Sequence, residues 1–184
     1  MKIIVAITGA SGASYAHLML KRLTELQYRS EEVALVVSQT AEKVWRYELP
    51  EEPLEQHPFQ RHDPESFFSP IASGSSGYDA MIIIPCTVGT LGRIAAGTAE
   101  DLIARAADVM LKERRKLILV VREAPYSLIH LRNMVTVTEA GAIVMPASPS
   151  FYHQPQTLDE AAMSVVRRAL VLAGIQDQDV PFNG

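Results

Sequence analysis

Short apolar runs recur along this chain, each followed by a stretch with helical spacing, and that alternation restricts the fold more than any other feature. Lys2 to Ile7, Val33 to Val37, Ala80 to Ile84, Leu117 to Val121 and Ile143 to Met145 are apolar at nearly every position. A strand with one wet face alternates apolar and polar residues, whereas a strand covered on both faces reads as an unbroken apolar run. Helical spacing follows in Leu18, Met19, Leu23 and Leu26, and again in Leu102, Ile103, Ala106, Ala107 and Met110. Helices are also predicted over Thr40 to Tyr47, Ser127 to Glu139 and Leu158 to Ala173, and the stretch from Thr90 to Arg115 as two helices divided at Gly92 and Gly97. Strands that alternate with amphipathic helices argue a mainly parallel central sheet with helices on both faces. The expected fold is therefore an α/β Rossmann-like, flavodoxin-like three-layer sandwich. Leu49 to Ser76 has little periodicity and carries Pro, Ser and Gly, so it is read as a long loop.

Length and composition narrow the functional classes. A chain of 184 residues suits a single domain, residues 1–184, with a good-sized core. No apolar run approaches the ~18 residues of a membrane span, so a soluble protein without a membrane partner is expected. The opening MKIIVAITGASG has no charged leader, long apolar segment or cleavage site, which makes the cytoplasm the expected compartment. The single cysteine, Cys86, rules out an internal disulfide, fits a reducing compartment, and follows an apolar strand where a buried thiol is expected. Net charge is −4, with no basic face or aromatic-basic interleaving, so nucleic acid is not an expected partner.

The polar residues fall at strand ends. In an open parallel sheet the carboxyl ends of the strands form the ligand crevice. Thr8-Gly9-Ala10-Ser11-Gly12-Ala13-Ser14 joins the first strand to the first helix, where free N–H groups and the helix dipole predict a phosphate site. Its glycine spacing is neither the dinucleotide fingerprint nor a P-loop, so small residues and the Ser11 and Ser14 hydroxyls point to a different flat phosphorylated ligand, such as a mononucleotide. Ser38 and Thr87 to Thr90 place further small hydroxyl residues after the second and third predicted strands. Arg105, Lys112, Arg114, Arg115, Lys116 and Arg122 are six of the seventeen Lys and Arg residues, and Arg122-Glu123 closes the fourth predicted strand. A cation beside an acid there suits an anionic substrate and a proton to be moved, while Arg114, Arg115 and Lys116 read as a solvated helix end. After the fifth predicted strand comes a proline-stiffened aromatic loop with Tyr152, and Arg167 and Arg168 then interrupt the apolar period of the last helix. One of those arginines must point inward or toward a neighbouring subunit. His17, His57, His62, His130 and His153 show no ligand spacing, and no metal is expected.

Taken in order, TGASGA, Ser38, IPC-x-x-x-T, ARAADV-x-LKERR, REAP, SLIHL-x-NM, PSFYHQPQ and VVRRAL resemble the UbiX-type flavin prenyltransferases over nearly the whole chain. The REAP and FYHQPQ elements are the specific ones. The resemblance implies transfer of a dimethylallyl group from dimethylallyl phosphate to reduced FMN, bonding at N5 and C6, to make prenylated FMN for a UbiD-type decarboxylase. It implies that Gly9, Ala10, Ser11, Ser38, Thr87, Val88, Gly89, Thr90 and Arg122 hold FMN, and that Tyr152 and Arg168 hold the prenyl phosphate with Arg105 and Lys112 lending charge. Glu48, Glu123 and Ser11 match its catalytic positions, and a large homo-oligomer, commonly a dodecamer with sites shared between subunits, is implied as well. Phe67 and Phe182 stand where the family often has tryptophan.

Two other classes compete. FMN-dependent decarboxylases of cysteinyl substrates share the fold but carry a Pro-Ala-Ser-Ala-Asn-Thr strand end, where this chain has Pro85-Cys86-Thr87-Val88-Gly89-Thr90. A flavin-binding or carrier protein without catalysis is the other, and retention of Arg122, Glu123, Tyr152 and Arg168 argues against it.

Overall fold

The computed structural model describes residues 1–29 and 32–177. Six strands, β1 (Ile3–Ile7), β2 (Val33–Val37), β3 (Gln60–His62), β4 (Ala80–Cys86), β5 (Lys116–Val121) and β6 (Ile143–Pro146), form one sheet in the order β3-β2-β1-β4-β5-β6. Every pairing is parallel, as the unbroken apolar runs predict. The chain runs outward in one direction from β1 and in the other from β4, so the crevice between these two strand ends is a topological switch point.

Pleating sends successive side chains of a strand to opposite faces. Ile3, Val5 and Ile7 thus pack under α1 (Ala13–Glu25), α2 (Gln39–Glu48) and α6 (Leu158–Ala173). Ile4 and Ala6 face the other way, against α3 (Val88–Ala95), α4 (Leu102–Lys112) and α5 (Leu128–Glu139). The three layers follow from this division. Side-chain caps start the helices: Ser38, Thr87, Asp101, Ser127 and Thr157 each accept from a backbone N–H of the first turn. Among the described residues no helix is long and apolar enough to cross a membrane.

Three details depart from the sequence expectation. Gly92 lies inside α3 and does not divide it; the break comes at Gly97, where φ is 67° and a side chain would be strained. The region read as one long loop contains β3, a polar edge strand held by pairing with Ala34, Leu35 and Val36 and by the Arg61–Glu42 ion pair. Its charge blunts a sheet edge that would otherwise offer itself to another chain. Helix α5 forms where expected, yet Val137 is its one buried residue and Leu128, Ile129, Leu131 and Val135 face outward.

α1, α2 and the segment after α2 meet in a ring cluster. His17, Trp45 and His57 stand edge to face, with centroids 5.3 to 6.0 Å apart. Nδ1 of His17 and Nε2 of His57 are buried without a hydrogen-bond partner. Burial first, and then the charge of His17, holds the His57 imidazole well below its ordinary 6.5, at about 4, against an opposing pull from Glu52. His57 is therefore neutral in the fold, and protons bind the unfolded chain first. Its stabilising contribution is full above pH 6.5 and is lost as pH falls toward about 4. Thermal unfolding followed by fluorescence of Trp45, the sole tryptophan, should show His57→Phe losing less stability than the parent between pH 6.5 and 5. Parallel curves would show that this imidazole does not carry the acid sensitivity.

Candidate functional site

The carboxyl edge of the sheet is built around Thr8. Its backbone N–H donates to Pro85 O at 3.2 Å, its hydroxyl donates to the same carbonyl at 2.8 Å, and the Thr87 N–H donates back to that hydroxyl at 2.8 Å. Thr8 is buried, so each of these polar groups needs its partner. The neighbouring ends are tied in turn: Ser38 N–H donates to Ile7 O, Arg122 N–H to Cys86 O and Ala147 N–H to Val121 O, at 2.9 to 3.1 Å. Gly9 to Ser11, Ser38, Thr87 to Thr90 and Arg122 therefore line one edge, as the sequence motifs require.

Part of the glycine turn is occupied from within the chain. The Glu48 carboxylate, delivered by the last residue of α2, accepts from Gly12 N–H at 2.9 Å and Ala13 N–H at 2.8 Å. It caps α1 in place of a ligand. Burial works to raise its pKa, but the Ser11 hydroxyl, those two N–H groups and the Arg122 charge outweigh it, and the carboxyl lies below the usual range. Two of the expected free N–H groups of this turn, those of Gly12 and Ala13, are thus already used by a carboxylate that sequence distance concealed. Ser11, Glu48 and Arg122 are brought together, with Tyr15 beside them; burial raises the Tyr15 pKa and Arg122 lowers it in part. Tyr15 Oη reaches Ala147 O at 3.4 Å, and its ring lies 2.8 Å from where a Cβ on Gly12 would sit.

Room for an anion remains one strand further on. Thr87 caps α3, and the N–H groups of Val88 and Gly89 take no partner among the described residues. A Cβ on Gly89 would meet nothing closer than 3.8 Å, so the first turn is uncovered. Arg93, which sequence reasoning passed over, points its Nη2 at the Thr90 hydroxyl at 3.1 Å and leaves a buried Nε unpaired. Its spacing of three from Thr90 was the available signal. Unpaired donors, small side chains and the Arg93 guanidinium, which also pairs with Asp101 at 3.6 Å, fit the phosphate of a mononucleotide here. Cys86 lies beneath, its thiol pushed up to about 12 by burial and unsuited to nucleophilic work. Glu123 is half-buried beside Arg122 and accepts from the Ala124 N–H at 2.9 Å.

Tyr152 and Arg168 belong to a second feature. The aromatic loop is tied to α6 at both ends, by Ser150 N–H to Ser164 Oγ at 2.9 Å and Gln156 N–H to Glu160 at 2.6 Å. A cavity of about 560 Å³ results, lined by Tyr152, His153, Met163, Arg167 and Arg168 among others, and by none of the cradle residues. Arg105 and Lys112 do not join it within one chain. They sit on α4, across the sheet from α6, with Arg105 bonded to Ala72 O and Asp108 and Lys112 paired with Glu113. Phe67 is about half exposed, and Phe182 lies outside the described residues. Among the described residues no group of three or more His, Cys, Asp and Glu could hold a metal.

The chain is similar to known proteins over nearly its whole length. Residues 1–170 match the family model Flavoprotein. The flavin prenyltransferase UbiX of Methanocaldococcus jannaschii is 44% identical over 96% of this chain and 95% of its own length. That of Pseudomonas aeruginosa is 41% identical over 98% and 92%. Among solved structures, AnUbiX (PadA1) in complex with FMN and dimethylallyl pyrophosphate superposes with a TM-score of 0.91 at 39% identity, covering 100% of this chain and 97% of that one. A dodecameric FMN-dependent UbiX-like decarboxylase from Escherichia coli O157:H7 gives 0.93 at 39% identity with both chains fully covered. The epidermin biosynthesis protein EpiD of Staphylococcus aureus, at 19% identity and a TM-score of 0.59, shares the fold alone.

Replacing Glu48 by Gln should cost about 1 kcal/mol at neutral pH, the usual scale for losing a helix cap. Because the folded carboxyl titrates below its usual range, this stabilisation is present at neutral pH and lost as the pH falls through that lowered value. Melting curves of parent and Glu48→Gln should therefore converge in acid; a gap that persists or widens there would refute the capping role.

Proposed function

Because the chain belongs to the flavin prenyltransferase family of flavoproteins, we propose that it transfers a dimethylallyl group from dimethylallyl phosphate to reduced FMN, bonding at N5 and C6. The prenylated FMN is released for use by a UbiD-type decarboxylase. The observation that carries this reading is the pairing of Tyr152 and Arg168 in one cavity beside α6, in a chain so similar to a protein solved with FMN and dimethylallyl pyrophosphate.

Reduced FMN supplies the nucleophilic N5 and the C6 carbon. The remaining work falls to this chain. Breaking an allylic carbon–oxygen bond leaves charge on the departing phosphate, and donors already aimed at those oxygens stabilise that charge as it develops. Arg168 provides a guanidinium fork that matches phosphate geometry, and Tyr152 adds an O–H donor. The allyl fragment needs shelter from water until it is captured, which Met163 and the aromatic loop provide. Closing the second bond expels a proton from C6. Glu123 beside Arg122, Glu48 with its lowered pKa, and the released phosphate are the candidate acceptors, and Ser11 holds Glu48 in place.

Cradle and cavity are separate within one chain, so the working site is assembled from neighbouring copies. Two observations support this. Leu128, Ile129, Leu131 and Val135 on α5, and Phe151 and Tyr152 on the aromatic loop, are exposed in the single chain. A close structural relative is described as dodecameric. In a homododecamer, Arg105 and Lys112 of one copy can approach the donor phosphate held by another.

The reading as a decarboxylase of cysteinyl substrates has weaker support, because the cypemycin decarboxylase CypD, at 18% identity, shares only the fold and Gly89 stands where the strand end expected of such decarboxylases has asparagine. Anaerobic incubation with reduced FMN and dimethylallyl phosphate should give a flavin heavier by one C5 unit. Arg168→Ala should cut that turnover by roughly 100-fold or more, the scale of losing one transition-state donor, with FMN affinity nearly unchanged. Unmodified flavin with both ligands bound would support a carrier instead, and carbon dioxide from a cysteinyl substrate would support the decarboxylase. Equal loss of turnover and FMN binding in Arg168→Ala would refute the division of labour.

A further inference from the structure

Arg105 enters the reading above as a charge lent to the donor phosphate, and the fold shows what aims it. Its Nε donates to Ala72 O at 3.2 Å and its Nη1 to Asp108 at 2.8 Å. Nη2 takes no partner among the described residues, so it is the nitrogen left for an anion. Asp108 lies one turn further along the same helix and moves with α4 as Arg105 does. Ala72 O comes from a separate segment, and the direction of the guanidinium therefore depends on where that segment is held.

Residues 63–72 form a strap from the end of β3 to the flank of α4. Leu102 N–H donates to Pro64 O at 2.8 Å, Gln39 Nε2 donates to Glu65, and Ile71 is fully buried in the same apolar cluster as Leu102, Ile103 and Ala106. One further bond closes the strap on itself. His62, the last residue of β3, and Ser69 share a hydrogen bond of 2.8 Å between Nδ1 and Oγ. Both residues are half-buried, and Nε2 of His62 is buried without a partner, so Ser69 is the one hydrogen-bond partner of this imidazole among the described residues. Ala72 N–H then donates to Ser69 O at 3.0 Å, which fixes the Ala72 peptide relative to Ser69. Pinning Ser69 to the sheet edge thus removes chain freedom just where Ala72 O must meet Arg105. Resting on the prenyltransferase reading, we propose that Ser69 and His62 are positioning residues, whose bond holds the strap so that Ala72 O keeps the Arg105 guanidinium turned toward the donor phosphate held by a neighbouring copy. Neither side chain touches the donor; both act through Arg105.

The test is a double-mutant cycle on the intact FMN-loaded protein, read by calorimetric titration with inorganic phosphate and by KM for dimethylallyl phosphate. Ser69→Ala should weaken phosphate binding about fivefold, the scale of one hydrogen bond, and raise the donor KM in the same proportion with kcat largely kept. In an Arg105→Ala background the same change should cost less than about 1.5-fold, because the group it aims is gone. Ser69→Thr keeps the hydroxyl and should bind phosphate as the parent does. Equal losses in both backgrounds, which a merely structural role would give, overturn the proposal; so does no loss in either, or a Ser69→Thr protein as weak as Ser69→Ala. Should Ser69→Ala change the mass of the assembled protein, His62 decides: loss of phosphate affinity in His62→Leu that His62→Asn avoids supports the assignment, and equal affinities overturn it. A parent protein that transfers no prenyl group sinks the prenyltransferase reading, whereas the coupling of Ser69 to Arg105 in phosphate affinity still judges the strap.

Discussion

The Thr8 hydroxyl binds the two halves of the sheet together at the place where their directions diverge. It donates to Pro85 O and accepts from Thr87 N–H, and with the Thr8 N–H it fixes the end of β1 against the end of β4. The glycine turn leaves from one side of this junction and the capped start of α3 from the other. Arg122 is positioned from β4 as well, through its N–H to Cys86 O. A flat ligand can enter only if these ends are small and held at fixed height. Thr8 supplies the height, and Gly9 and Ala10 supply the smallness.

Glu48 adds a constraint that a purely ligand-centred view would miss. A helix N-terminus attracts anions because its first N–H groups have no intrahelical partner. Here that attraction is met at Gly12 and Ala13 by an internal carboxylate, while the N–H groups of Val88 and Gly89 at the first turn of α3 take no partner among the described residues. The same carboxylate is then ionised and well oriented near Arg122. Local stability and the placement of a potential proton acceptor thus have one origin, the docking of the end of α2 onto the start of α1. The His17–Trp45–His57 cluster packs these helices one to two turns further along.

Much of this was legible in the sequence. Strands buried on both faces announce themselves by apolar runs such as Val33 to Val37, and the strand-end motifs fall on one edge because parallel strands all end there. What escaped notice depends on contacts between distant segments. β3 is three polar residues whose strand character comes from pairing with β2, not from their own propensity. Glu48 caps a helix that starts 35 residues earlier in the chain. Gly92 has the residue type of a helix breaker, but φ there is ordinary and the chain continues through it. One of Arg167 and Arg168 was expected to point inward or toward a neighbouring subunit; that both line one cavity required the structure.

The strand-end cradle lies at one edge of the sheet and the cavity beside α6, with no lining residue in common; the proposed reading puts the flavin in the first and the prenyl phosphate in the second. The central claim is that the cradle of one copy works with the cavity of another. Subunit complementation tests it directly: Arg122→Ala removes a cradle residue, Arg168→Ala removes a cavity residue, and the two are co-expressed and assayed for prenylated flavin. If each working site draws one half from each of two copies, random mixing in a symmetric assembly restores roughly a quarter of the parent activity. Hybrid assemblies that stay as inactive as the two variants apart would contradict the account.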